Sequence, residues 1–134
     1  MAAEKQFENQ VKEYLKTQGI YPLGVEKQKI KASPCGYYEK RWGNAFTPSG
    51  LPDMHLVIRG VSVEVELKAE NGKPSELQKK MLNQIVESGG IGFILYPKNF
   101  DKFKDLIVKI KSFNNTNVEN RSISYIFGDW NEEV

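Results

Sequence analysis

The sequence predicts an α/β domain organised around a mixed β-sheet. Helix-period apolar stripes flank a central pair of strand-period segments, only Arg59-Gly60 separates those two segments, and a later apolar strand lies between two helical stretches. The expected order is α-β-β-β-α-β-α-β, a mixed central sheet flanked by helices. The chain has 134 residues, 40% hydrophobic and 11% aromatic, so one domain over 1–134 with one core is expected. Its structured core is placed at 4–113, with a polar loop and a C-terminal strand over 114–134.

The first helix spans 4–18, because Phe7, Val11, Tyr14 and Leu15 form one stripe and Gly19 supplies a stop. Residues 25–32 alternate, with Lys27, Lys29 and Lys31 on one parity, which predicts an edge strand with a basic face. The stretch 33–52 carries Pro34, Gly36, Gly43, Pro48, Gly50 and Pro52 and reads as a long loop of the functional kind. Met54–Ile58 is a short strand. Val61–Lys68 is the clearest strand: Val61, Val63, Val65 and Leu67 take one face, and Ser62, Glu64, Glu66 and Lys68 the other. The short turn makes the two strands a hairpin. After the loop Asn71-Gly72-Lys73-Pro74, a helix over 75–88 buries Leu77, Met81, Leu82, Ile85 and Val86 and ends at Gly89-Gly90. Residues 91–96 form an apolar strand, expected to be central. A third helix over 99–113 buries Phe103, Leu106, Ile107 and Ile110. A polar loop over 114–120 precedes a last strand at 122–127.

Composition removes several function classes. His55 and Cys35 are the sole histidine and cysteine, so neither a structural zinc site nor an internal disulfide can form within one chain. A Ser-His or Cys-His hydrolase would rest on His55 alone, and no G-x-S-x-G accompanies it. Phosphate-cradling loops of the G-x-x-x-x-G-K-[ST] and G-x-G-x-x-G types are missing. Any catalysis therefore falls to carboxylates, lysine and a metal. No apolar run approaches the ~18 residues of a membrane span. The start, Met1-Ala2-Ala3-Glu4-Lys5-Gln6, has no secretory pattern, so a soluble, cytoplasmic protein is expected. Net charge is only +2, but Lys27, Lys29, Lys31, Lys40 and Arg41 cluster against one acid, Glu39, with Tyr37, Tyr38, Trp42 and Phe46 among them. Lysines neutralise phosphates and aromatics stack on unpaired bases, so DNA contact through Lys27, Lys29, Lys31 and Arg41 is one expectation. A solvated basic strand is the plain alternative.

The polar face of Val61–Lys68 carries Glu64, Glu66 and Lys68 in a row, which alone describes a solvated sheet face. The hairpin changes its meaning, because Asp53 opens the partner strand and is carried towards the far end of 61–68. Two carboxylates and an amine then meet at one end of a sheet. Converging carboxylates repel unless a cation lies between them, and Mg²⁺, with its hard oxygen ligands and retained waters, suits such a site. A neighbouring lysine can orient or deprotonate the attacking water.

Pro52-Asp53 followed by Glu66-Leu67-Lys68 resembles the PD-(D/E)xK motif of the restriction-endonuclease-like nucleases. With Gly50-Leu51-Pro52-Asp53 ahead of it and Gly72-Lys73 and Gln78 beyond, the pattern over roughly 4–96 is similar to the VRR-NUC branch, whose stand-alone phage and bacterial members resemble Holliday-junction resolvases. The resemblance implies a restriction-endonuclease-like fold and a metal-dependent endonuclease acting on DNA, with branched, flap or nicked DNA as candidate substrates. Mg²⁺ is the implied cofactor, replaceable by Mn²⁺. Asp53 and Glu66 would ligate the metal, joined by the Leu67 backbone carbonyl and by Glu8 from the first helix. Lys68 would be the catalytic lysine and Gln78 a nearby helper.

Each residue also has a simpler role. Asp53 can be a turn residue after Pro52. Gln78 can close a capping box with Ser75. Glu8 can be a solvated helix glutamate, with Glu4 a rival one turn earlier. Glu64 lies too early for the E-x-K spacing and reads as a salt-bridged neighbour, and His55 as a packed or half-exposed histidine. A homodimer would enlarge the DNA footprint, as in resolvase-like relatives. A catalytically silent DNA- or protein-binding accessory factor, such as a phage-encoded inhibitor, stays open, as does RNA in place of DNA.

Overall fold

The structure, a computed structural model, describes residues 2–31, 33–41 and 50–112. The expected loop at 114–120, the strand at 122–127, and Trp42 and Phe46 lie outside the described residues. Within them, helix α1 (Ala2–Thr17) is followed by strands β1 (Ile20–Pro22), β2 (Gly36–Lys40), β3 (Met54–Ile58) and β4 (Val61–Leu67). Helix α2 (Glu76–Glu87), strand β5 (Ile91–Leu95) and helix α3 (Phe100–Ser112) complete them. The sheet runs β1-β2-β3-β4-β5 and is mixed: β1 with β2 and β4 with β5 are parallel, and the middle pairings are antiparallel. None of the described helices is long and apolar enough to cross a membrane.

Strand parity sorts the side chains into layers. Met54, Leu56, Ile58, Val61, Val63, Val65 and Leu67 face one side, where Phe7, Val11 and Leu15 of α1 and Phe103, Leu106, Ile107 and Ile110 of α3 close over them. Edge-to-face ring pairs, Phe7 with Phe100 and Phe93 with Phe103, join these helices to each other and to β5. On the other side α2 lays Leu82 against Ile94 and Tyr96 as a smaller cluster. The architecture is thus an α/β sandwich of three layers, α1 and α3 below the sheet and α2 above it.

Three sequence expectations are corrected. The edge strand expected at 25–32 is not formed; Lys27–Lys29 make a single 3-10 turn instead. The chain turns after β1, where the Val25 N–H donates to the Pro22 carbonyl and Gly24 takes φ +88°. The observed order is accordingly α-β-β-β-β-α-β-α, because strands form at Ile20–Pro22 and inside the expected loop at Gly36–Lys40. Gly36 is a close-packing glycine rather than a turn residue: a Cβ there would lie 2.5 Å from the Val57 carbonyl oxygen. Lastly, β5 is not central but ends the described sheet, and all five of its residues are buried. Helices cover both of its faces, which produces a continuous apolar run as surely as flanking strands would.

Helix α2 is also shallower than its stripe implied. Leu82 is its one buried residue, and Leu77 is 41% exposed. Expected to pack into a core, Leu77 and Met81 instead border Gly50, which enters the Pro52-Asp53 segment at φ +86°.

Replacing Gly36 by Ala should destabilise the domain by about 2 kcal/mol or more, since the new methyl meets backbone rather than a movable side chain. Urea unfolding of the variant against the parent measures it, and an unchanged midpoint would refute the close β2–β3 approach.

Candidate active site at the carboxyl end of strand β4

The β3–β4 register pairs Met54 with Val65, which sets Asp53 beside the Glu66-Leu67 peptide. Asp53 Oδ2 accepts a hydrogen bond from the Leu67 N–H at 2.9 Å. Its carbonyl accepts one from the Arg41 N–H at 2.7 Å, so the segment is held between β2 and β4. Pro52 is buried, and its carbonyl accepts from the Arg41 guanidinium at 3.0 Å. Asp53 is therefore not a free turn residue; its carboxylate is aimed at the end of β4.

Glu66 is only 2% exposed. Its Oε2 accepts from Gln78 Nε2 at 2.9 Å and lies 3.2 Å from Lys68 Nζ. Its Oε1 is buried and, among the described residues, has no hydrogen-bond partner. Burial pushes the Glu66 carboxyl up, the Asp53 carboxylate pushes it further, and Lys68 opposes both, leaving it at about 7. Two carboxylates brought this close call for a shared proton or a cation.

Gln78 holds two roles at once. Its backbone N–H donates to Ser75 Oγ, its Oε1 accepts from the Ser75 N–H, and its Nε2 is left to donate to Glu66. The capping box and the site contact are one arrangement.

Glu8, not Glu4, is the buried acid of α1, at 6% exposure. Its Oε2 is 2.9 Å from Lys5 and 2.8 Å from Lys12, and its Oε1 is 3.5 Å from Lys40. Burial alone would raise the carboxyl, but Lys12, Lys5 and Lys40 together overcome it and bring it down to about 2. Lys40 also lies 3.4 Å from Asp53 Oδ1, linking the α1 carboxylate to the site. Among the described residues no three His, Cys, Asp or Glu side chains form a closed ligand cluster; the carboxylates that meet are the pair Asp53 and Glu66.

Of the expected DNA contacts, Lys27, Lys29 and Lys31 are exposed. Arg41 is otherwise engaged. It reaches Glu64 at 2.6 and 3.1 Å, and this fork raises its own pKa. Glu64 is thus the salt-bridged neighbour that its position suggested. His55 is half-buried, with Nε2 2.8 Å from Ser62 Oγ and Glu39 and Glu64 on either side.

Sequence reasoning missed the part played by Lys40. The signal was present in α1, where Lys5 and Lys12 stand three before and four after Glu8 on one helix face. Such a charge-rich helical position marks a carboxylate that serves as an anchor.

The chain matches no protein-family model, no curated protein and no solved structure.

The site has a distinct pH signature in metal-free protein. The Glu66 pKa is raised from 4.5 to about 7, so its contribution is intact below pH 4.5 and is lost as pH rises through 7. Glu8 runs the other way: its stabilisation holds above 4.5 and disappears as pH falls through about 2. Thermal melts in EDTA should therefore show stability falling from pH 5 to pH 8, by an amount on the order of 3 kcal/mol for Glu66. Glu66→Gln should flatten that slope, and an unchanged slope would refute the assignment.

Proposed function

We propose that this chain is a divalent-metal-dependent nuclease of restriction-endonuclease-like fold that hydrolyses DNA phosphodiester bonds. The observation that carries the proposal is the buried Glu66 carboxyl, which has an unpartnered Oε1 among the described residues, interacts with Asp53 and has Lys68 on its other oxygen. Asp53 and Glu66, with the Leu67 backbone carbonyl, would hold Mg²⁺, or Mn²⁺ in its place. The donor chemistry fits: hard oxygens, two of them anionic, at the rim of a buried sheet face. The bound ion supplies charge neutralisation and a more acidic water.

The remaining work belongs to the protein's own groups. Lys68 Nζ, 3.2 Å from Glu66, is placed to hold the attacking water and to offset charge developing on the phosphate oxygens. Water adds to phosphorus, the bond to the leaving oxygen breaks, and that oxygen takes up a proton. Gln78 fixes the Glu66 rotamer and so the direction in which its free oxygen points. Asp53 is oriented by the Leu67 N–H. Lys27, Lys29 and Lys31 are the candidate phosphate contacts away from the scissile bond. Arg41, tied to Glu64 and the Pro52 carbonyl, serves first to seat the Asp53 segment.

Nicking of supercoiled plasmid, and cleavage of flap and four-way-junction DNA, should require Mg²⁺ or Mn²⁺ and stop in EDTA. Lys68→Ala and Asp53→Ala should each lose about 100-fold or more in rate. Full activity in both variants would overturn the site, and DNA binding with no cleavage in any metal would favour an accessory, non-catalytic role.

A further inference from the structure

Strand parity sends consecutive residues of β2 in opposite directions. Lys40 opposes Met54 across the β2–β3 ladder and points to the α1 side, while Arg41 turns to Glu64 on the other face. The Lys40 ammonium thereby lies between two carboxylates, 3.5 Å from Glu8 Oε1 and 3.4 Å from Asp53 Oδ1, on a side chain only 15% exposed. Lys68 has the matching place on the other carboxylate, 3.2 Å from Glu66 Oε2. The Asp53–Glu66 pair is thus flanked by one ammonium on each side.

Glu8 does not have the surroundings of a metal ligand. Three ammonium groups surround its two oxygens, and one of its nearest, Lys40, is the same group that contacts Asp53. A divalent ion brought to Glu8 would meet three positive charges already neutralising one negative one. Glu66 Oε1, by contrast, has no partner among the described residues, and the Glu66 carboxyl lies close enough to Asp53 for the two to repel. Among the described residues, the Asp53–Glu66 pair thus keeps a carboxylate oxygen that no donor or cation satisfies.

We propose that Lys40, anchored by Glu8, is a resident cation of the site that competes with the divalent ion for Asp53, and that Glu8 is this anchor rather than a metal ligand. The inference rests on the reading of Asp53 and Glu66 as the metal-holding pair. Its consequence is that metal loading requires the Lys40 ammonium to withdraw from Asp53 towards Glu8. The protein then holds its charge balance with or without the ion.

Mn²⁺ binding to the full chain, followed by electron paramagnetic resonance and calorimetry at pH 8 without DNA, tests this apart from activity. Lys40→Met should tighten Mn²⁺ binding on the order of tenfold, because one unit charge is removed beside a doubly charged ion. Lys40→Arg keeps the charge and should stay within about twofold of the parent. Added to Lys40→Met, where no ammonium is left to anchor, Glu8→Gln should change affinity less than about threefold, whereas Asp53→Ala and Glu66→Ala should weaken it more than about tenfold. Circular dichroism checks that each variant is folded, and Lys40→Met keeps the test decisive if Glu8→Gln is not. Unchanged or weaker binding in Lys40→Met overturns the proposal, as does a further tenfold loss when Glu8→Gln is added to a folded Lys40→Met. If Asp53 and Glu66 substitutions leave binding untouched, or neither parent nor Lys40→Met binds Mn²⁺, the metal reading of the site falls as well.

Discussion

Keeping the Glu66 carboxylate almost wholly out of water is the constraint around which the site is arranged. Desolvating a carboxylate costs several kcal/mol unless hydrogen bonds and opposite charge offset it. The fold supplies two donors, Gln78 and Lys68, to one oxygen and none among the described residues to the other. It then adds a second carboxylate, Asp53, which makes the deficit worse. A sequence selected for stability alone would place an apolar residue at 66, as it does at 63, 65 and 67. A carboxylate there is a local cost that binding of a cation would relieve.

That cost is tolerable because the surroundings are rigid. The 61–67 strand is interior to the sheet, paired on one side with β3 and on the other with β5, and its opposite face is filled by Val61, Val63, Val65 and Leu67. A one-residue slip would exchange these with Ser62, Glu64 and Glu66, so burial locks the register. The same register places Asp53 against the Leu67 N–H. The metal-holding geometry proposed here is therefore a by-product of core packing two residues deep on the far side of the sheet.

This explains which parts of the structure could be read from the residues alone. The 61–67 strand, the hairpin and the Asp53–Glu66–Lys68 grouping follow from strict alternation and a two-residue turn, and the three helices from their apolar stripes, all signals that are local. Strand β2 escaped because its evidence is non-local: Gly36 looks like a loop residue until the Val57 carbonyl is found against it. The lysines of 27–31 alternate as a strand would, but among the described residues no strand pairs with them, and Gly24 turns the chain first. Helix α2 shows an apolar stripe without a matching depth of burial, since part of that stripe meets Gly50 rather than a core. Ion pairing was half visible. The Lys5, Glu8, Lys12 spacing lies on one helix, but Lys40 comes from a strand that only the sheet brings near.

Magnitudes decide how the two lysines of the site differ. Unit charges 3.4 Å apart, the Lys40–Asp53 separation, attract by on the order of 5 kcal/mol at the effective dielectric of a half-buried site. An ammonium that close to a divalent ion would be repelled by about twice as much at similar distance. Lys40 and the ion cannot share Asp53, and Glu8 offers the lysine an alternative carboxylate without leaving the site. Among the described residues Lys68 has no such second acid; its carboxylate there is Glu66, and its backbone N–H is tied to the Leu95 carbonyl at 3.1 Å. On the proposed metal reading, one ammonium would move aside and the other would stay. That asymmetry would let the site hold two carboxylates together and still admit a doubly charged ion.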